Sequence, residues 1–174
     1  VGDPHSIPHP VIGIGKQISF FEKILRHLFP KNVAGENIAG GVLWLLVVTI
    51  STAVPALVLW LCHWINPWLR LTVESIMCWQ VLATKSLRDE SMRVYHALKT
   101  EDLEKARYAV SMIVGRDTER LDEEGIAKAA VETVAENTSD GVTAPLFYMI
   151  LFGGMGGIFY KAVNTMDSMT GYKN

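Results

Sequence analysis

The chain has 174 residues, a formal net charge of −2, and hydrophobic side chains at 49% of its positions. The nearly balanced charge argues against nucleic acid as a partner, because phosphate backbones are bound by strongly basic surfaces. The apolar residues occur in blocks, and no Asp, Glu, Lys or Arg lies between positions 38 and 69. Composition therefore indicates an integral membrane protein. Because the chain ends directly after a motif-like run, we expect it to be part of a longer protein.

The N-terminal region, residues 1–40, is predicted to contain a turn segment followed by an amphipathic helix. Residues 1–10 hold three prolines and two histidines, a composition typical of turns. Between Val11 and Phe29 the apolar residues recur every three or four positions, which predicts a helix with one apolar face. Pro30 ends that helix.

Residues 41–84 are predicted to form a transmembrane helical hairpin. The uncharged stretch from Gly41 to Ile65 is longer than the roughly 20 residues that cross a bilayer, and it has no polar face. Asn66 and Pro67 form a turn, and a less apolar second span follows over residues 68–84. Arg70 lies near the turn, where a long charged side chain can reach water.

Residues 85–140 carry charges of both signs and are predicted to form a cytoplasmic helical region. One helix is expected over residues 103–113, opened by Thr100 or Asp102, and a second is expected after Gly115, opened by Asp117 or Thr118. Basic residues are concentrated before the first span and after the second, which places both regions in the cytoplasm.

Residues 141–174 are predicted to contain a third transmembrane or re-entrant segment and then a polar Asn-Thr-Met-Asp motif. The stretch from Val142 to Tyr160 is uncharged. Its glycine-rich run from Gly153 to Gly157 would allow close helix packing or a break in the helix.

Three acidic residues in the second cytoplasmic helix form a first candidate site. Glu132, Glu136 and Asp140 are spaced four residues apart, with Asn137 alongside. They have few basic partners one turn away, so they repel one another unless a cation joins them. Carboxylate oxygens suit Mg²⁺ that bridges phosphates. The commoner explanation of this spacing is a solvated face on an amphipathic helix.

Two further polar groups are candidates for substrate contact. Arg116 and Asp117 lie between the two cytoplasmic helices, where helix capping explains Asp117 and a phosphate contact would explain Arg116. Lys161, Asn164 and Asp167 share one helical face directly beyond an apolar segment, a boundary at which polar groups are often functional. A solvated helix end is the alternative.

Long blocks of sequence resemble a known family, the CbiB/CobD cobalamin biosynthesis proteins. The chain opens with Gly-Asp-Pro and His-Pro-Val within residues 2–11, and residues 114–118 read Val-Gly-Arg-Asp-Thr. Residues 129–145 (AAVETVAENTSDGVTAP) and 162–174 (AVNTMDSMTGYKN) are the most characteristic blocks. The resemblance covers essentially the whole chain in the same order.

This resemblance implies an all-α, multi-pass protein of the plasma or inner membrane that catalyses amide bond formation. Such proteins are adenosylcobinamide-phosphate synthases, ligases that join adenosylcobyric acid to aminopropanol or its phosphate. The implied co-reactants are ATP and Mg²⁺, with no bound prosthetic group. The implied partners are the corrinoid, the amine and membrane lipid, and the resemblance also allows for a complex with other late membrane enzymes of the pathway.

The resemblance also suggests roles for the candidate residues. The acidic residues would bind Mg²⁺ or deprotonate the amine, and the remaining polar residues would hold phosphate or complete the site. The catalytic set is Glu132, Glu136, Asp140, Asn164 and Asp167, and the substrate-binding set is Arg116, Asp117, Asn137 and Lys161. The alternatives are a membrane transporter and a non-catalytic corrinoid-binding or sensor protein that shares the fold.

Overall fold

The computed structural model describes residues 10–82, 84–115 and 117–171, without the side chains of residues 85 and 86, and the regular secondary structure of this part of the chain is entirely helical. The all-α prediction is confirmed for these residues. The predicted turn segment at residues 1–9, Arg116 and residues 172–174 lie outside them. The elements are α1 (Pro10–Leu28), α2 (Val33–Ile65), α3 (Pro67–Val81), α4 (Thr84–Lys99), α5 (Leu103–Ser111), α6 (Glu123–Thr138), a π-helix (Ser139–Thr143) and α7 (Ala144–Thr170).

The described residues divide into two compact units. The discontinuous unit comprises residues 10–82 and 145–171, and therefore contains α1, α2, α3 and nearly all of α7. The middle unit comprises residues 84–115 and 117–144, and contains α4, α5, α6 and the π-helix. Each unit has a hydrophobic core of its own.

The core of the discontinuous unit joins α1, α2 and the C-terminal part of α7. The apolar face predicted for the first helix is the face that α1 buries, with Ile18 completely inaccessible. Val47 of α2 and Ala162 of α7 are equally buried in the same cluster. A polar contact crosses this core, because the Ser51 hydroxyl donates to Gln17 Oε1 at 3.2 Å.

Helices α2 and α3 follow one another across the predicted turn, but they differ greatly in length. Asn66 ends α2, and its side chain accepts a hydrogen bond of 2.8 Å from the amide of Trp68 at the start of α3. At 1.5 Å per residue, the 33 residues of α2 extend about 50 Å and the 15 residues of α3 about 22 Å. The hydrocarbon core of a bilayer is about 30 Å thick. Helix α2 alone of this pair is therefore long enough to cross it.

Among the described residues, two helical stretches are long and apolar enough to cross a membrane: Val33–Ile65 and a stretch within Glu123–Thr170. In each, only 28% of the most apolar window is buried, whereas the core helix of a soluble protein buries most of its apolar residues. Large side chains such as Trp64 and Ile150, 75% and 79% exposed, show how much apolar surface these helices present to their surroundings.

Helix α7 is broken at Gly153, which adopts φ +66° and ψ −161°. The rings of Tyr148 and Tyr160 lie 5.3 Å apart, centroid to centroid, whereas residues twelve apart in a straight helix are separated by about 18 Å. The segments on either side of Gly153 therefore fold back against each other. A Cβ at Gly156 would lie 2.2 Å from the carbonyl oxygen of Tyr148, so this close approach requires glycine. The glycine run was expected to allow either close helix packing or a break in the helix, and the structure shows the break.

The middle unit packs α4, α5 and α6 around a small core. Val94, Ala106 and Ile126, one from each helix, are all at most 1% exposed. The predicted cap Asp102 is confirmed, because its side chain accepts a hydrogen bond of 3.0 Å from the amide of Lys105 at the start of α5.

The predicted start of the next helix at Asp117 or Thr118 is wrong. Helix α6 begins at Glu123, and its cap is Asp122, which accepts a hydrogen bond of 2.8 Å from the amide of Gly125. Thr118 instead faces inward and donates from its hydroxyl to the carbonyl of Arg107 at 3.3 Å. A side chain used to fasten the loop to α5 is not available to cap a helix.

Candidate functional site

The predicted acidic stripe lies at the end of α6 and in the π-helix that follows. Glu132 and Glu136 are exposed on α6, and Asp140 is half-buried in the π-helix. Eight helical residues rise about 12 Å, so the first and third carboxylates are too far apart to bind the same ion. Among the described residues no three His, Cys, Asp or Glu side chains gather into a metal-binding group.

These carboxylates therefore fit a metal as a neighbouring pair rather than as a set of three. Hard oxygen donors are the ligands that Mg²⁺ prefers, and this ion is commonly held by one or two carboxylates together with substrate phosphates. Glu136 with either neighbour supplies that donor chemistry at a spacing of one helical turn. Mg²⁺ binding by this stripe stays a prediction.

The π-helix between Ser139 and Thr143 was not expected from the sequence. It begins where the amide of Ser139 is shared by the carbonyls of Ala135 and Glu136. A wider turn changes the direction in which the following side chains point, and such turns occur frequently at functional sites. Asn137, one of the predicted substrate-binding residues, donates from its side chain to the carbonyl of Thr133 at 2.9 Å and so fastens to its own helix.

The loop between α5 and α6 is held by hydrogen bonds around Arg107. Its Nε donates to the carbonyl of Leu121 at 2.8 Å, while its own carbonyl accepts from Thr118. Asp117 accepts a hydrogen bond of 2.9 Å from the amide of Glu119, so its carboxylate stabilises the turn. The second half of the loop is thus fixed to α5 at Thr118 and Leu121. The predicted phosphate contact Arg116 falls outside the described residues.

The predicted polar face of α7 is present in the discontinuous unit. Lys161 and Asn164 are half-buried and Asp167 is exposed, at the spacing that places all three on one side of the helix. The neighbouring Ala162 and Met166 are buried in the core against α1 and α2. Because the opposite side of the helix is packed, the polar face is held in place by the core.

Glu74 is a residue whose importance the sequence did not reveal. Its Oε1 accepts a hydrogen bond of 3.1 Å from the amide of Gly154, the first residue after the break in α7. Its Oε2 lies 3.7 Å from the Nε of Arg70 on the same face of α3. The carboxylate therefore caps the second segment of α7, where exposed amide groups carry partial positive charge. The signal available in the sequence was an acidic residue within the apolar stretch 68–84, together with the glycine run at 153–157.

Comparison with known proteins assigns the whole chain to one family. The sequence model described as "CobD/Cbib protein" matches residues 1–174. The "Cobalamin biosynthesis protein CobD" of Clostridium tetani is 48% identical over 177 residues, which cover 100% of this chain and 54% of the relative. The "Cobalamin biosynthesis protein CbiB" of Salmonella typhi is 45% identical over 174 residues, with the same two coverages.

The chain spans about half the length of the curated relatives that it matches. No solved structure matches it. The resemblance noted from the sequence blocks is nevertheless confirmed over the entire chain, and the chain belongs to the CobD/Cbib protein family.

Proposed function

We propose that the full-length protein takes part in cobalamin biosynthesis as an ATP-dependent, amide-forming ligase of the membrane. The observation that carries the proposal is the family match over residues 1–174, supported by relatives whose names refer to cobalamin biosynthesis. The substrates are adenosylcobyric acid and aminopropanol or its phosphate, and the product is adenosylcobinamide or its phosphate. The finer assignment rests on the resemblance of the characteristic blocks.

The chemistry requires an activated carboxyl group, because a carboxylate is a poor acyl donor. Transfer of the terminal phosphoryl group of ATP to the propionate oxygen forms an acyl phosphate and ADP. The amine then attacks the acyl carbon, phosphate leaves, and a base takes the proton from the nitrogen. Such phosphoryl transfer depends on positioning and on positive charge near the transferred group. Mg²⁺, when bound, neutralises phosphate charge.

Each group of polar residues suits one of these tasks. The carboxylates of Glu132, Glu136 and Asp140 serve as phosphate-bridging metal ligands in pairs, or accept the amine proton. In the discontinuous unit, Asn164 and Asp167 orient the amine and Lys161 contacts developing negative charge. Arg116 binds a phosphate, and Asp117 supports the loop that carries Arg116. Asn137, beside the acidic stripe, is a further substrate contact.

We further propose that the protein spans the plasma or inner membrane several times. The exposed apolar surfaces of α2 and of the segment of α7 before Gly153 support this placement. Basic residues precede α2 and follow α3, a distribution that favours a cytoplasmic position for α1 and for the middle unit. Both substrates and ATP are then available on one side. A complex with other late membrane enzymes of the pathway would let the product pass directly to the enzyme that uses it next.

The decisive experiment is a complementation assay with a direct product readout. The full-length protein is expressed in a strain blocked at this amidation, and cobinamide phosphate is measured by mass spectrometry. Product formation that requires ATP establishes the reaction. Stable, membrane-inserted protein without product would refute the ligase and favour the transporter or sensor alternative.

A further inference from the structure

A cavity of about 650 Å³ lies entirely within the discontinuous unit. Its walls are the C-terminal part of α1, the loop that leads to α2, the first turns of α2, and Thr170 at the end of α7. This volume falls within the range of small-molecule binding sites. The acidic stripe and the predicted catalytic residues are not among those that line it.

The charged residues of the lining leave an excess of positive charge. Arg26 is matched by Glu22, because its Nε and Nη2 donate to Glu22 Oε1 at 3.1 and 3.0 Å. Lys23 and Lys31 then face a single further carboxylate, that of Glu36. Lys23 belongs to α1 and Lys31 to the loop that leads to α2. Lysines from separate elements can contact one phosphate as point charges.

The backbone of α2 adds to this positive character. Gly35 and Glu36, in the first turn of the helix, form part of the cavity wall. The N-terminal end of a helix carries a partial positive charge, and the 33 residues of α2 align many peptide dipoles behind it. Asn32 already accepts the amide hydrogen of Gly35 at 2.7 Å, so the helix end contributes by its field rather than by that amide.

Beneath these charges the cavity wall is apolar. Leu25 and Leu43 are each only 6% exposed and belong to the core between α1 and α2. Phe29 and Ala39 pack against the same core and also line the cavity. A site with cationic groups above an apolar wall matches a ligand that has an anionic head and a hydrocarbon part.

We propose that this cavity binds a phosphate-bearing amphiphilic small molecule, with the phosphate between Lys23 and Lys31 and the hydrocarbon part against Leu25 and Leu43. Two sources share the phosphate: the headgroup of an anionic phospholipid, which also supplies the hydrocarbon part, and a soluble phosphate ester such as the phosphorylated amine, whose short carbon chain would contact only part of the apolar wall. The second source rests on the proposed function. Thr170 lies one helical turn beyond Asp167 on α7, so an ester bound in the cavity would lie near the polar face.

A matched pair of glycines in α2 allows the cavity to be filled without changing the fold. A Cβ at Gly40 or at Gly41 would meet nothing within 4 Å, yet only Gly40 lines the cavity. Gly40→Leu therefore places a side chain in the binding space, while Gly41→Leu makes the same change beside it. A second pair is Lys23→Gln, which removes a proposed phosphate contact, and Lys16→Gln, an exposed position on the same helix outside the cavity.

The full-length protein and its variants are reconstituted in nanodiscs, and two probes are measured without turnover. Retained phosphatidylglycerol is quantified by native mass spectrometry, and binding of aminopropanol phosphate is followed by calorimetry. We expect both Gly40→Leu, which occupies the binding space, and Lys23→Gln, which removes a charge-assisted contact, to weaken binding of one probe on the order of tenfold or more. Gly41→Leu and Lys16→Gln should bind like the unchanged protein.

The probe that responds identifies the source of the phosphate. Binding of neither probe to the unchanged protein, or equal binding to Gly40→Leu and Gly41→Leu, would overturn the proposal, even if the protein forms amide normally. Conversely, cavity-dependent phosphatidylglycerol binding by a protein that makes no amide product would uphold the cavity and refute the ligase.

Discussion

Glu74 holds the start of the second segment of α7, directly after the break at Gly153. Removing its carboxylate should destabilise that start selectively. Glu74→Ala takes away the acceptor of the buried Gly154 amide, which lies 3.1 Å from Oε1. A hydrogen bond to a charged group contributes about 1.5–3 kcal/mol. The partly exposed ion pair with Arg70, at 3.7 Å, adds only about 0–1 kcal/mol. The two contributions together give about 1.5–4 kcal/mol, and we expect local opening of this segment to become easier by the middle of that range, about 2–3 kcal/mol.

Hydrogen exchange measured by mass spectrometry reports this opening directly. At 1.4 kcal/mol per factor of ten, amides at positions 154–158 should exchange roughly 30- to 140-fold faster in Glu74→Ala. Glu74→Gln is the matched control, because the amide oxygen still accepts the hydrogen bond, and it should change exchange far less. Unchanged exchange in the alanine variant, or equal effects of the two variants, would refute the assigned hydrogen bond.

Three other expectations concern the break, a cap and the acidic residues. Gly153→Ala should destabilise the detergent-solubilised protein by about 1–3 kcal/mol, because its backbone conformation is nearly restricted to glycine; thermal unfolding measures the loss. The hydrogen bond and ion pair with Lys105 lower the pKa of Asp102, so this cap stabilises α5 above the ordinary aspartate pKa and loses that contribution as the pH falls below about 4. The amides of α5 should exchange faster in Asp102→Asn than in the unchanged protein near neutral pH. This difference in exchange rate should disappear in acid, where the carboxylate is protonated. Glu136→Gln and Asp167→Asn should abolish product formation while leaving the amount of protein in the membrane unchanged.

The glycine and acidic substitutions have control variants in the chain, and the cap is tested by its dependence on pH. Gly13→Ala in α1 places its Cβ in open space and should not reduce the melting temperature. Glu124→Gln alters an exposed carboxylate on the same helix as Glu136 but outside the stripe, and should retain activity. Normal turnover in both Glu136→Gln and Asp167→Asn would rule out their assigned roles. A pH-independent difference between Asp102→Asn and the unchanged protein would contradict the ion-pair explanation of the cap.

The helices with strong local signals were the ones that the sequence predicted well. Proline and asparagine mark the ends of α1 and α2, and the apolar spacing of α1 identifies its buried face. The start of α6 was misplaced because Asp117 and Asp122 are both competent caps, and only the packing of Thr118 against α5 decides between them.

The geometry around Gly153 could not be predicted from the sequence, for a different reason. The glycine run permitted either a packed helix or a break, and the choice depends on Glu74, eighty residues earlier in the chain. The π-helix likewise changes where Asp140 points without an evident signal in its sequence. Candidate residues could thus be identified by type and spacing, whereas their directions depend on contacts that are distant in sequence.

The discontinuous unit has a consequence for how the protein is made. Val48 of α2 and Ala162 of α7 share one core, yet more than a hundred residues separate them in the chain. At a synthesis rate of about 5–20 residues per second, α1 and α2 leave the ribosome roughly 5–20 s before their partner helix. The middle unit, whose residues are consecutive, can fold during this interval. Lipid or a chaperone must shield the waiting faces of α1 and α2, and slowed translation between them and α7 should increase their degradation.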